Sequence, residues 1–259
     1  MSTARPTDFR QRFGDRELLV GSFIKTPTTH SIEILGGMGF DFVVIDEEHA
    51  PFDRVTIDNG LLAARAVGTA GIVRVAEPTP AKLLAVLDDG AAGVLVPHVS
   101  SVEKAKAIVA ACRYRGGARG FSNSPRAGGY GTLGMWQHVE EQDRSVTVIA
   151  MIEDPEALDV IDEIVAVEGL DGFFVGRGDL SVAMGAESQG APQIRAITEK
   201  IVRAAAAVGK PVCVMVGSIA ETEPFREIGV TSFIVSSDQG LMRQSAAKVL
   251  TDWREIANR

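Results

Sequence analysis

The chain has 259 residues, a net charge of −8, 46% hydrophobic and 23% charged residues, and two cysteines. An acidic chain of ordinary globular composition offers no general nucleic-acid-binding surface. Two cysteines make no disulfide framework, so Cys112 and Cys213 are read as buried, reduced thiols of a cytoplasmic protein. The N-terminal segment MSTARPTDFRQRFGDRELLV lacks the apolar stretch of a signal peptide, and no apolar run approaches the roughly 20 residues that span a bilayer.

Short apolar runs rich in β-branched residues then alternate about eight times with longer segments of helical period. Strands are predicted over 18–24, 42–45, 71–75, 93–96, 146–152, 172–175, 212–216 and 232–235. Helices are predicted over 28–36, 55–67, 80–88, 102–111, 155–167, 194–208, 219–228 and 239–256. Ser101 and Asp154–Pro155 mark helix starts, and Gly36, Gly68, Gly169, Gly209 and Gly229 mark helix stops. Continuous apolar strands are buried on both faces, and their alternation with helices implies parallel pairing. Eight such units point to an α/β fold, a (β/α)8 TIM barrel of one domain over 1–259, in preference to a doubly wound open sheet. The glycine-rich segment 114–134, YRGGARGFSNSPRAGGYGTLG, is predicted as an ordered functional loop, with short helical stretches in MWQHVEEQD after it.

Barrel enzymes carry their chemistry at the C-terminal ends of the strands. The runs end, in order, at Lys25, at Asp46-Glu47-Glu48-His49, at Arg74, at His98, at Glu153-Asp154, at Arg177 and Asp179, at Gly217, and at Ser236-Ser237-Asp238. Charged groups thus collect on one rim. Glu153 and Asp179, at the ends of adjacent strands, suit a hard divalent cation such as Mg²⁺ or Mn²⁺, with water and substrate completing its shell. Each acid taken singly is as well explained by a salt bridge or a helix N-terminus. His49 is the natural general base near neutral pH, with Asp46 or Asp88 to hold its imidazole. Arg74 offers a planar cation for a keto or enolate oxygen. The backbone N–H groups after Gly176 suit a substrate carboxylate.

Six segments, FDFVVIDEEHAPFD, GIVRV, LLAVLDDGAAGVLVPHV, GGARG, VIAMIEDPEALDVIDEI and GLDGFFVGRGDLSVAMG, together resemble the HpcH/HpaI aldolase family, the class II pyruvate aldolases. The resemblance runs from about Leu18 to Leu250. It implies a barrel of the phosphoenolpyruvate/pyruvate type and a divalent metal, Mg²⁺, Mn²⁺ or Co²⁺, on Glu153 and Asp179. It further implies Arg74 on the pyruvate keto oxygen, His49 as base with Asp46 and Asp88 as partners, and Gly178 and Asp179 as backbone contacts for the substrate carboxylate. Family members are hexamers whose C-terminal helix packs on a neighbouring subunit, a role this implies for 239–259. Two departures stand out: Glu47 replaces a glycine before the Glu-His pair, and Arg177 replaces a proline. They place an extra anion and an extra cation near the mouth.

The expected reaction is reversible cleavage of a 4-hydroxy-2-oxo acid to pyruvate and an aldehyde, with oxaloacetate decarboxylation as a side reaction of the same enolate. The alternatives are a Schiff-base lysine mechanism at Lys25, a CoA-ester lyase of the citrate lyase β type, and a non-catalytic sugar-acid-binding barrel. Partners are small-molecule 2-oxo acids and aldehydes and further copies of the chain, not nucleic acid or membrane.

Overall fold

In the computed structural model, which describes residues 9–257, eight parallel strands pair in sequence order and close into a barrel. The N-terminal reading at residues 1–8 and residues 258–259 of the segment expected to pack on a neighbouring subunit lie outside the described residues. The strands are β1 (Leu19–Ile24), β2 (Phe42–Asp46), β3 (Ala70–Arg74), β4 (Gly93–Val96), β5 (Thr147–Ile152), β6 (Gly172–Val175), β7 (Val212–Val216) and β8 (Ser232–Ser237). Their predicted bounds hold to within two residues at each end. β1 closes on β8 with a register shift between Gly21 and Phe23.

The helices are α1 (Phe9–Gly14), α2 (Thr29–Met38), α3 (Arg54–Val67), α4 (Pro80–Asp88), α5 (Val102–Cys112), α6 (Met135–Ser145), α7 (Ile161–Val165), α8 (Arg177–Ala183), α9 (Pro192–Ala207), α10 (Ile219–Glu227) and α11 (Asp238–Ala257). Most begin and end as their sequence signals require. Asp53 and Thr56 form a reciprocal capping box on α3, Ser101 caps α5, and Gly39 and Gly68 close α2 and α3 in the left-handed conformation.

The continuous helix expected over 155–167 is instead a 3₁₀ turn, Pro155–Leu158, and the short α7, separated at Val160, whose ψ of 27° is not helical. Ala157, Ile161, Ile164 and Val165 still face the core, so both arrangements satisfy the same apolar period.

Two apolar cores follow from the period-2 alternation of the strands. The outer one lies between strands and helices and includes Val43, Ile45, Val73, Val94, Val148, Ala150, Val175 and Val214. The inner one fills the barrel with Leu19, Phe23, Phe42, Val44, Ile72, Leu95, Ile149, Met151, Phe174, Cys213 and Ile234. Phe9 and Phe13 of α1 join this inner core and stack on each other at 5.6 Å, with Phe9 5.3 Å from Phe42. Arg10 binds Asp171 and Arg12 binds Asp41, which fasten α1 to the barrel. The sequence reading missed α1, since two phenylalanines four residues apart are too little periodicity to declare a helix.

Among the described residues no helix is long and apolar enough to cross a membrane. Cys112 and Cys213 are buried free thiols, and burial raises both, Cys112 to about 12.

Candidate active site

The inner core predicts where the polar residues point. Along β1 the inward positions run Leu19, Gly21, Phe23 and then Lys25. Along β2 they run Phe42, Val44, Asp46, along β3 Ala70, Ile72, Arg74, and along β5 Ile149, Met151, Glu153. Each charged residue is therefore the next inward step beyond the last apolar layer, at the C-terminal mouth of the barrel.

Asp46 and Arg74 are register partners on β2 and β3. Arg74 Nε and Nη2 donate to the two oxygens of Asp46, both at 2.8 Å, and both side chains are buried. Asp46 also accepts from the His49 backbone N–H at 3.1 Å and lies 2.9 Å from Lys25 Nζ. Burial alone would raise the Asp46 carboxyl, but the hydrogen bonds and charges of Arg74 and Lys25 outweigh it and hold it below the usual carboxylate range. The Arg74 guanidinium lies 4.8 Å from the centre of the Phe23 ring.

The facing wall is acidic. Glu153 is 3% exposed and accepts from the His98 backbone N–H at 2.8 Å. Burial, followed by the charges of Asp179 and Glu48, pushes its carboxyl up to about 7 despite the favourable His98 contact. Gly176 makes room for it: a Cβ there would sit 2.6 Å from Glu153 Oε2. Glu48 Oε2 is buried without a hydrogen-bond partner, 3.2 Å from Arg74 Nη1. His98 adopts a left-handed backbone with φ 55°, and its Nδ1 lies 3.1 Å from Asp154. Burial lowers His98, yet the Asp154 bond and the nearby carboxylates raise it overall.

Crowded carboxylates, one with an orphaned oxygen and one pushed upward by burial and then by its neighbours, form a donor set for a hard cation. Glu153 and Asp179 fit such an ion, with Glu48 beside them. Among the described residues no group of three or more His, Cys, Asp or Glu side chains is already gathered as a metal site.

Between the two walls lies a cavity of about 150 Å³. Lys25, Arg74, Asp179 and Gln189 give it polarity, while Phe23, Met151, Phe174 and Met215 give it an apolar lining. Gly178 and Asp179 fall in the first turn of α8, where backbone N–H groups have no intrahelical acceptor. Sequence reading missed α8, Gln189 and the apolar lining. Strand parity signals the lining, but the glycines of GRGDLS conceal the helix.

The other candidates are dispersed. His49 is exposed on the rim, its Nε2 3.6 Å from Glu48 Oε2, and its ring is not held by Asp46, which takes only its backbone N–H. Asp88 ends α4, where the chain has returned to the N-terminal end of the barrel, and it pairs with Arg119 at 3.1 Å instead of His49. The 114–134 segment also joins α5 to α6, which leads to the start of β5. It is ordered there by Arg119 and by Arg126, which binds Asp58 and the Asp89 carbonyl, so within one chain it does not border the mouth. The two departures near the mouth are both neutralised. Glu47 is paired with Lys82 and accepts from the Ala76 N–H. Arg177 is buried, bonded to the Met215 carbonyl, the Gln189 carbonyl and Glu221 at 2.7 Å, and stacked 4.7 Å from the Phe225 ring.

Sequence and structure comparisons bear on the family. The chain is 32% identical over 252 residues to a 5-keto-4-deoxy-D-glucarate aldolase of Escherichia coli, covering 96% of this chain and 98% of the relative. It superposes on the crystal structure of the citrate synthase SbnG with a TM-score of 0.88 at 30% identity, covering 96% and 98% of the two chains. A Burkholderia cenocepacia protein of the HpcH/HpaI aldolase/citrate lyase family superposes with a TM-score of 0.91 at 26% identity, covering 96% and 99%. Residues 19–245 match the family described as HpcH/HpaI aldolase/citrate lyase, so this closed barrel with its basic and acidic walls belongs to that family of carbon–carbon lyases.

Proposed function

We propose that the chain is a divalent-metal-dependent class II aldolase that cleaves a 4-hydroxy-2-oxo acid to pyruvate and an aldehyde. The observation that carries this reading is one small cavity lined by both Asp179 and an Arg74 held by Asp46, with the buried Glu153 packed against Gly176 of its lining. Mg²⁺ or Mn²⁺, or Co²⁺ in their place, held by Glu153 and Asp179, would supply Lewis-acid polarisation of the 2-oxo acid.

The chain's own groups do the rest. The first-turn N–H groups of Gly178 and Asp179 receive the substrate carboxylate. Arg74, unable to rotate away from Asp46, holds a fixed donor where negative charge develops on the keto oxygen as the C3–C4 bond breaks. His49, exposed at the rim, takes the proton of the C4 hydroxyl directly or through water. Asp88 lies at the far end of the barrel, paired with Arg119, and takes no part in this reading. Pyruvate enolate formed this way also accounts for oxaloacetate decarboxylation as a side reaction. The named relatives favour a sugar-acid-derived substrate.

Pyruvate release from a panel of 4-hydroxy-2-oxo acids tests the reading. Release is expected to vanish with EDTA and return with Mg²⁺ or Mn²⁺; release that ignores chelator, or none with any metal, overturns it.

We further place the protein in the cytoplasm as a homo-oligomer, a hexamer in the family's manner. In the single chain α11 exposes Met242, Val249, Leu250, Trp253 and Ile256, an apolar set that burial against another subunit would cover. Ending the chain before Met242 is expected to lower the mass found by light scattering to that of a smaller assembly; an unchanged mass removes α11 from the interface.

A further inference from the structure

Lys25 has no part in the mechanism above, yet it is placed with more care than a rim lysine requires. Its backbone N–H and that of Thr26 both donate to Asp238, at 2.9 and 3.1 Å, and Gln239 Nε2 donates to its carbonyl at 3.3 Å. The start of α11 therefore fixes the end of β1. The side chain turns inward along the Phe23 ring, with Nζ 5.9 Å from its centre, and lines the cavity instead of extending into water.

Asp46 alone does not explain this placement. Its Oδ1 already accepts from Arg74 Nε and His49 N, and its Oδ2 from Arg74 Nη2, so Arg74 has neutralised it bidentately before Lys25 arrives. Arg74 Nη1 also faces Glu48 at 3.2 Å, so two cations meet two carboxylates on this wall, and what remains over is donor capacity at Lys25 Nζ. An ammonium carries three N–H donors, and among the described residues Asp46 takes one of them. The third cation lining the cavity, Arg177, is spent on two carbonyls and Glu221.

Position assigns this spare donor capacity to one end of the substrate. In the ring of eight, β1 stands opposite β5, the strand that carries Glu153. The donor half of the substrate occupies the acidic wall and the α8 N–H groups, and the cleaved bond extends away from it. We propose that Lys25 is a specificity-determining residue that receives a carboxylate on the aldehyde half of the substrate, a role that rests on the aldolase reading above.

The test runs the reaction in the synthetic direction with pyruvate and either glyoxylate, which carries a carboxylate, or glycolaldehyde, which is neutral and of similar size. Deuterium exchange into the pyruvate methyl group is measured alongside with Mn²⁺ present. Lys25→Met is expected to lower the glyoxylate-to-glycolaldehyde ratio of kcat/KM by roughly 10- to 100-fold, the scale of one charge-assisted hydrogen bond. Lys25→Gln, which keeps a donor but not the charge, is expected to lower it similarly, and Lys25→Arg to restore it in part. A ratio unchanged in both Lys25→Met and Lys25→Gln, in an enzyme that still exchanges deuterium, overturns the role of Lys25 and leaves the aldolase intact. Absence of exchange in the unaltered enzyme overturns the aldolase reading and this inference with it.

Discussion

Arg74→Ala is expected to lower kcat for aldol cleavage by at least about 100-fold with a much smaller change in KM, the signature of a donor that acts where charge develops. The guanidinium is held by two 2.8 Å bonds to Asp46 and backed by Phe23, so it meets the developing oxyanion without reorganising. Truncation also leaves Asp46, fully buried, with only Lys25 and one backbone N–H, and removing a partner from a buried pair costs about 3 kcal/mol or more. Arg74→Lys separates the two effects: it keeps a charge near Asp46 but loses the planar fork, so stability should recover further than turnover. Steady-state kinetics beside thermal melts make the comparison. Near-normal kcat in a folded Arg74→Ala protein would remove this residue from the reaction.

Glu153→Gln should abolish tight Mn²⁺ binding and yet raise the melting temperature of the metal-free protein at pH 8. The sign follows from the raised carboxyl. Between its ordinary value near 4.5 and about 7, the folded chain keeps a proton that the unfolded chain has lost, so stability falls as pH rises through that window and levels off above it. The full loss is roughly 3 kcal/mol, or on the order of 10 °C for a chain of this size. Glutamine retains the oxygen that accepts from His98 but carries no charge against Asp179 and Glu48, so the metal-free variant should lack this pH dependence. Conversely, divalent metal should stabilise the unaltered protein more at pH 8 than at pH 5.5. Thermal melts at both pH values, with and without Mn²⁺, decide the matter. A Glu153→Gln melting curve that follows the parent at every pH would show that the burden lies elsewhere.

The barrel was legible because each parallel strand is a run of apolar residues bounded by helix caps, a pattern that survives without any tertiary information. The mouth was legible for a related reason: Asp46, Arg74 and Glu153 each follow an apolar run directly, and parity then turns them inward. Lys25 obeyed the same rule, though its tie to Asp238 joins residues more than 200 positions apart and cannot be seen locally. The 114–134 loop and Asp88 show the opposite limit. The loop looked functional by its glycine content and Asp88 as a partner for His49, but helices run back against the strands, so anything between a helix end and the next strand start lies at the far end of the barrel. The charge of Arg177 and Glu47 was visible while their neutralisation by Glu221 and Lys82 was not, since an ion pair between distant elements leaves no periodic trace.

The register match of Asp46 with Arg74 has a consequence for how the barrel assembles. A parallel strand that slips by one residue turns its entire inward set outward. Such a slip between β2 and β3 would strand one charge in an apolar layer and expose the other, whereas a slip among purely aliphatic positions would be tolerated far better. The pair proposed to shape the mouth therefore also disfavours a mispaired ring, because a slipped register leaves a buried charge without its partner.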